Sequence, residues 1–201
     1  TEKGYNLYGS DGNLMGVVSE DLENGPEASK HLMSIVTALL NLRYKENGKA
    51  LTLLSMDNAS HNGDLVKNSV MLIAKAWLEK GFVEEGFIKY LEEKIAFPLS
   101  MIDKITPRPS EVVQKHLEDE GFSGMETVVT DKGSYIAGFV NSEEAEYLVI
   151  EDNFTNGRPA FEEGGVYMAD RETVNKVETM KVTTCLNPLH TVLATYGCIL
   201  G

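Results

Sequence analysis

The chain has 201 residues, enough for one good-sized domain or one and a half. With 42% hydrophobic and 24% charged residues it is no disordered segment. Its formal charge of −13, from 18 Lys and Arg against 31 Asp and Glu, disfavours binding to a nucleic-acid backbone or an anionic membrane surface.

Residues 5–25 are rich in Gly, Asn and Asp and read as loop. Pro26 suits the first turn of a helix. Leu32, Ile35, Val36, Leu39 and Leu40 follow helical spacing, and Asn47-Gly48 is a stop signal. Residues 50–56, an almost continuous apolar run, predict a strand buried on both faces that ends in Asp57-Asn58. Asn62-Gly63-Asp64 opens a second helix with Val66, Val70, Ile73 and Trp77 on one face, and a third covers 84–95. Pro98 and Pro107 exclude a single helix between them. A short helix follows at 109–119. Short β-prone pieces between 125 and 170 predict a small, partly antiparallel elaboration, and from Thr173 the pattern is helical again. Helix, buried strand, helix is an α/β signature.

The most apolar tracts, such as Met33–Leu40 and Thr191–Gly201, fall far short of the roughly 20 residues of a membrane span. No signal peptide is visible, and Cys185 and Cys198 cannot build a secreted disulfide framework, so the expected compartment is cytoplasmic. The four histidines show no metal-ligand spacing, and no metal is expected. No G-x-G-x-x-G or G-x-x-x-x-G-K-[ST] motif is present. The chain starts without Met and stops inside an apolar stretch, which reads as an internal fragment.

Three groups of residues could carry chemistry. Asp57 and Asn58 occupy the carboxyl end of a strand, where open α/β sheets bind ligands. The plainer reading is a strand end followed by a helix capped by Asn62. Lys181, Asn187 and His190 could project from one helix start into a cleft, with Lys as general base and Asn as donor to an alkoxide. The plainer reading there is a surface lysine and a capping asparagine. Asp152 and Arg158 read as an acidic turn with a salt-bridged arginine.

Four ordered segments resemble the polyol-specific long-chain dehydrogenases. They are Thr1-Glu2-Lys3-Gly4-Tyr5, Asp57-Asn58-x-x-x-Asn62-Gly63, the run from Phe97-Pro98 to Thr106-Pro107, and Lys181 through Leu186-Asn187-x-x-His190. Residues 149–154 and 156–159 also look like that family. The resemblance implies the later part of a Rossmann-like nucleotide-binding domain over 1–180, its glycine fingerprint upstream, and the start of a helical substrate domain over 181–201. It implies Lys181 as catalytic acid–base, with Asn58 and Asn187 polarising the substrate oxygen and His190 orienting the substrate. Asn58, Ile102 and Asp103 would meet the nicotinamide end of NAD or NADP.

The implied substrate is a small sugar acid or polyol, and the implied reaction reduces D-fructuronate to D-mannonate. A mannitol- or arabinitol-type dehydrogenase is the alternative within the enzyme class, and a non-catalytic acidic α/β interaction domain the alternative outside it. Little activity is expected from the 201 residues alone. Two departures stand out. Lys181 and Asn187 are six positions apart, one more than is usual in the family, and the family's Asn-Gly-x-His is here Asn187-Pro188-Leu189-His190. The longer interval implies a one-residue bulge in the helix or a displaced lysine.

Overall fold

The computed structural model describes residues 4–104, 106–142 and 148–200. Two compact units divide them: residues up to 102 together with those from 148 onward, and the excursion between.

The larger unit begins with helices packed around a two-stranded parallel pair. Helix α1 spans Gly16–Asn24, so part of the segment expected to be loop is helical. Its Gly and Asp residues are turn formers, but Val18 and Leu22, four apart, pack into the core and decide its state. Pro26 starts only a single 3₁₀ turn, Pro26–Ala28. The long helix α2, Leu32–Glu46, is capped instead by His31, whose Nδ1 accepts from the Met33 N–H. The buried Asp21 carboxylate accepts the N–H groups of Lys30 and His31 and fixes that entry.

Helix α2 turns a different face inward from the one its apolar residues predict. Met33, Ser34, Thr37, Leu40 and Asn41 are buried, whereas Leu32, Ile35 and Leu39 are exposed. Polar Ser34, Thr37 and Asn41 hide the inner stripe from a hydrophobicity pattern. Thr37 is satisfied by donating to the Met33 carbonyl.

Strand β1, Leu51–Thr52, pairs in parallel with β2, Ile95–Ala96. It is shorter than the predicted run and only half-buried, because β2 is its one strand neighbour among the described residues. Between them lie α3, Asn62–Glu79, and α4, Glu85–Lys94, close to the predicted positions. Val66, Val70, Ile73 and Trp77 of α3 are buried together with Phe87 and Leu91 of α4, as the spacing predicts. The Trp77 indole donates to the Asp21 carbonyl.

A second small core forms around β3, Ser100–Met101, β6, Val149–Glu151, and β7, Tyr167–Ala169. Strand β6 is antiparallel to β3 and parallel to β7. Leu99, Met101, Val149 and Val174 close this core, the last from helix α6, Arg171–Glu178. Arg158 pairs with Asp152 and Glu162 in the expected acidic turn.

The smaller unit contains helix α5, Glu111–Asp119, and the antiparallel hairpin β4–β5, Val128–Val129 with Tyr135–Ile136. Arg108 lies over the Tyr135 ring, 4.6 Å from its centroid. No helix among the described residues is long and apolar enough to cross a membrane.

Candidate active site

The loop that leaves β1 is held from below by hydroxyl groups. Ser55 is buried, and its Oγ lies 2.6 Å from the Tyr5 hydroxyl. Burial pushes the Tyr5 phenol above its usual range, and Asp57 shares a hydrogen bond with it. Ser100 Oγ donates to the Ser55 carbonyl, so the loop is also tied to β3. On this footing Asp57 is half-buried and Asn58 is exposed, beyond the carboxyl end of β1.

Asn62 does not cap α3. It is the first residue of the helix, buried, and it works as a bracket between segments. Its Nδ2 donates to the Asp57 carbonyl at 2.9 Å and to the Ser100 carbonyl and Oγ at 3.0 and 2.9 Å. Its Oδ1 accepts from the N–H groups of Gly63 and Ser100. A side-chain amide serves both directions, from two separate atoms; a carboxylate cannot donate, and a hydroxyl has only one atom and one proton to share. Gly63 follows because the chain crosses there: a Cβ at that position would lie 2.5 Å from the Pro98 carbonyl oxygen and 2.6 Å from that of Phe97. The N-cap position belongs to His61, whose φ of 52° is left-handed.

The second expected group sits on one unbroken helical rod. Helix α6 continues without a cap into a π-helix, Thr179–Leu186, and then into α7, Asn187–Leu200. Asn187 is therefore in mid-helix, with its N–H bonded to the Val182 carbonyl five residues back. The rod also starts ten positions before Lys181, so that lysine is not at a helix start. Pro188 contributes to the wide turn, since a proline ring collides with the carbonyl four residues earlier in an ordinary α-helix.

The π-helix bears directly on the long Lys181–Asn187 interval. At roughly 82° per residue, six π-helical steps turn through about the same angle as five α-helical steps of ~100°. Lys181 is half-buried, whereas Asn187 and His190 are exposed and, three apart, share one side of α7.

The rod meets the loop at one place and the first turn of α3 at another. The His61 N–H donates to Glu178 Oε2 over 3.4 Å, three residues before Lys181. At the start of the rod, Arg171 Nη1 reaches Asp64 Oδ1 at 2.7 Å, and its Nε and Nη2 hold both oxygens of Glu151 at 3.1 and 3.0 Å. Glu151 is buried and accepts the Leu99 N–H as well. The structure thus brings together the segments bearing Asn58 and Lys181. Ile102 follows β3 and is half-buried, and Asp103 begins the smaller unit. Asn62 as a bracket and Arg171 as a clamp were not visible in the sequence. Asn-Gly at a helix start gave a hint of the first, and nothing marks Arg171.

The family model of the mannitol dehydrogenase Rossmann domain matches residues 3–163. The chain belongs to the mannitol dehydrogenase family. Within that family it is 54% identical, over its whole length, to a D-mannonate oxidoreductase of Thermotoga maritima, of which it covers 38%. It is 33% identical to a polyol:NADP oxidoreductase of Gluconobacter oxydans, again over its whole length and 38% of that protein. Among solved structures, mannitol 2-dehydrogenase of Pseudomonas fluorescens, in a ternary complex with NAD and D-mannitol, superposes with a TM-score of 0.64 at 28% identity. That match covers 90% of this chain and 33% of the other. The chain therefore spans well under half the length of these relatives. A Rossmann-like assignment agrees with the parallel β1–β2 pair flanked by helices.

Proposed function

We propose that this chain supplies the acid–base side of the active site of a nicotinamide-dependent oxidoreductase that interconverts D-fructuronate and D-mannonate. The observation that carries the reading is the junction of the Asn58 loop with the Lys181 rod at His61 and Glu178. The 54% identity to a D-mannonate oxidoreductase supports the substrate.

The chemistry that a bound nicotinamide supplies is hydride transfer to or from the carbon bearing the substrate oxygen. The residues present fit the reactive end of such a cofactor. Asn58 is exposed past the carboxyl end of β1, and Ile102 follows β3 in the same unit. The glycine-rich phosphate fingerprint is not within these 201 residues. Lys181 takes the hydroxyl proton in the oxidative direction and returns it in the reductive one. Asn58 and Asn187 direct amide N–H groups at the substrate oxygen, where negative charge develops. His190, on the same side of α7 as Asn187, orients the substrate. Residues up to 180 form the nucleotide-binding part, and 181 onward begin the substrate-binding part.

The names of the Gluconobacter relative and of the Pseudomonas structure favour a second reading, a mannitol-type polyol 2-dehydrogenase. The test uses the protein expressed from its complete gene, assayed with NADH and NADPH on fructuronate and on fructose. Preference for fructuronate, with a 10²–10⁴-fold loss of kcat in Lys181→Ala, is expected. Preference for fructose selects the polyol reading. Unchanged turnover in Lys181→Ala removes that lysine from the mechanism, and no turnover on either substrate favours an interaction domain.

A further inference from the structure

We propose that Asp64 and Arg171 are positioning residues for Lys181, forming a clamp that sets the rod against the Asn58 loop. This rests on the reading of Lys181 as the acid–base group. Arg171 is the first residue of the rod and lies ten positions before Lys181 on the same uninterrupted helical backbone. Its guanidinium joins four segments: Asp64 in the first turn of α3, Glu151 of β6, the Phe97 carbonyl, and its own helix.

The physical case turns on how the guanidinium is fixed. An exposed arginine–aspartate pair contributes little by itself. Here both carboxylate oxygens of Glu151 grip one edge of the guanidinium, through Nε and Nη2, and Glu151 is only 9% exposed. That carboxylate is held in turn by the Leu99 N–H. The fork is thereby set in one plane, and the arm left over points at Asp64 over 2.7 Å. Asp64 can move little relative to Asn58, because Asn62 pins the intervening backbone to Asp57 and Ser100. Gly63 lets α3 approach Phe97 and Pro98 closely, and the Phe97 carbonyl accepts from Arg171. A small tilt of the rod at Arg171 becomes a displacement at Lys181, roughly 15 Å along the axis at 1.5 Å per residue. Acid–base transfer tolerates little such displacement.

Asp64→Asn is the cleaner variant, since it leaves the buried Glu151 paired. In the protein from its complete gene it should lower kcat at least fivefold, with KM for NADH and for substrate within twofold and the melting temperature nearly unchanged. Asp64→Glu should restore most of the loss. Arg171→Lys, which keeps the charge and loses the planar fork, should fall between wild type and Asp64→Asn if the latter folds poorly. A wild-type kcat in Asp64→Asn, with Lys181→Ala crippled, overturns the clamp and leaves the catalytic reading intact. A parallel fall in kcat and melting temperature, not rescued by Asp64→Glu, also overturns it in favour of a purely structural ion pair. Wild-type kcat in Lys181→Ala overturns the catalytic reading itself, and the clamp with it.

Discussion

Asn62 and Ser100 are joined by three hydrogen bonds: the Asn62 amide donates to the carbonyl and to Oγ of Ser100, and accepts from its N–H. All three are buried, so they hold the start of α3 to β3 in one register. Replacing Asn62 by Ala takes the partner from three buried backbone groups, the N–H groups of Gly63 and Ser100 and the Ser100 carbonyl, and should cost about 3 kcal/mol. Asn62→Asp should cost a similar amount, because a carboxylate cannot donate. Urea unfolding monitored by circular dichroism measures both. A loss below about 1 kcal/mol would show that the bracket is dispensable.

Gly63 makes a separate prediction. The added methyl of Gly63→Ala would collide with two backbone carbonyls, neither of which can rotate away as a side chain would. Helix α3 must then lift from the Phe97–Pro98 segment, at a cost of about 2–3 kcal/mol. Gly12 is a suitable control: nothing lies within 4 Å of a Cβ there, but its φ of 78° is left-handed. Gly12→Ala should therefore show only the smaller backbone cost, about 1 kcal/mol.

The acidic turn predicts a pH effect of definite sign. Arg158 hydrogen-bonds to Asp152 and holds its carboxyl below the usual range. A depressed folded value means the contribution is present above the unfolded value of about 3.9 and is lost as the pH falls through the folded one. In Arg158→Gln the Asp152 resonance should titrate nearer to the unfolded value. An unchanged midpoint by carbon-detected NMR titration would assign the depression to something other than Arg158.

Much of the helical content was legible in the sequence. Val66, Val70, Ile73 and Trp77 announce α3 because a buried apolar stripe leaves a period of its own. Helix α2 misled for the opposite reason: Ser34, Thr37 and Asn41 are polar yet buried, and Leu32 and Leu39 are apolar yet exposed. The six-residue interval hinted at irregular winding, but nothing in the sequence places the π-helix. Arg171 resembled any surface arginine, since its meaning depends on Asp64, 107 positions away.

The wide turn can be tested by shortening it. Deleting Thr184, which is exposed, should let the rod revert to α-helix while Lys181 keeps its bearing on Asn187. Because Pro188 would then meet the carbonyl four residues earlier in a regular α-helix, stability should fall by about 3 kcal/mol and recover when Pro188→Ala is added, with kcat of the double variant within tenfold of wild type, as read by thermal melting and steady-state assay. Loss of all turnover with an intact fold would show that the π-helix contributes more than register.

The π-helix also separates the count of residues from the angle they span. One residue can be gained between two helical side chains, and in a π-helical stretch such as Thr179–Leu186 they still emerge on nearly the same bearing. A sequence search that insists on a fixed interval would pass over such a chain, or align the wrong lysine. For sites built on helices, catalytic motifs are better written as angles around an axis than as gaps in a string.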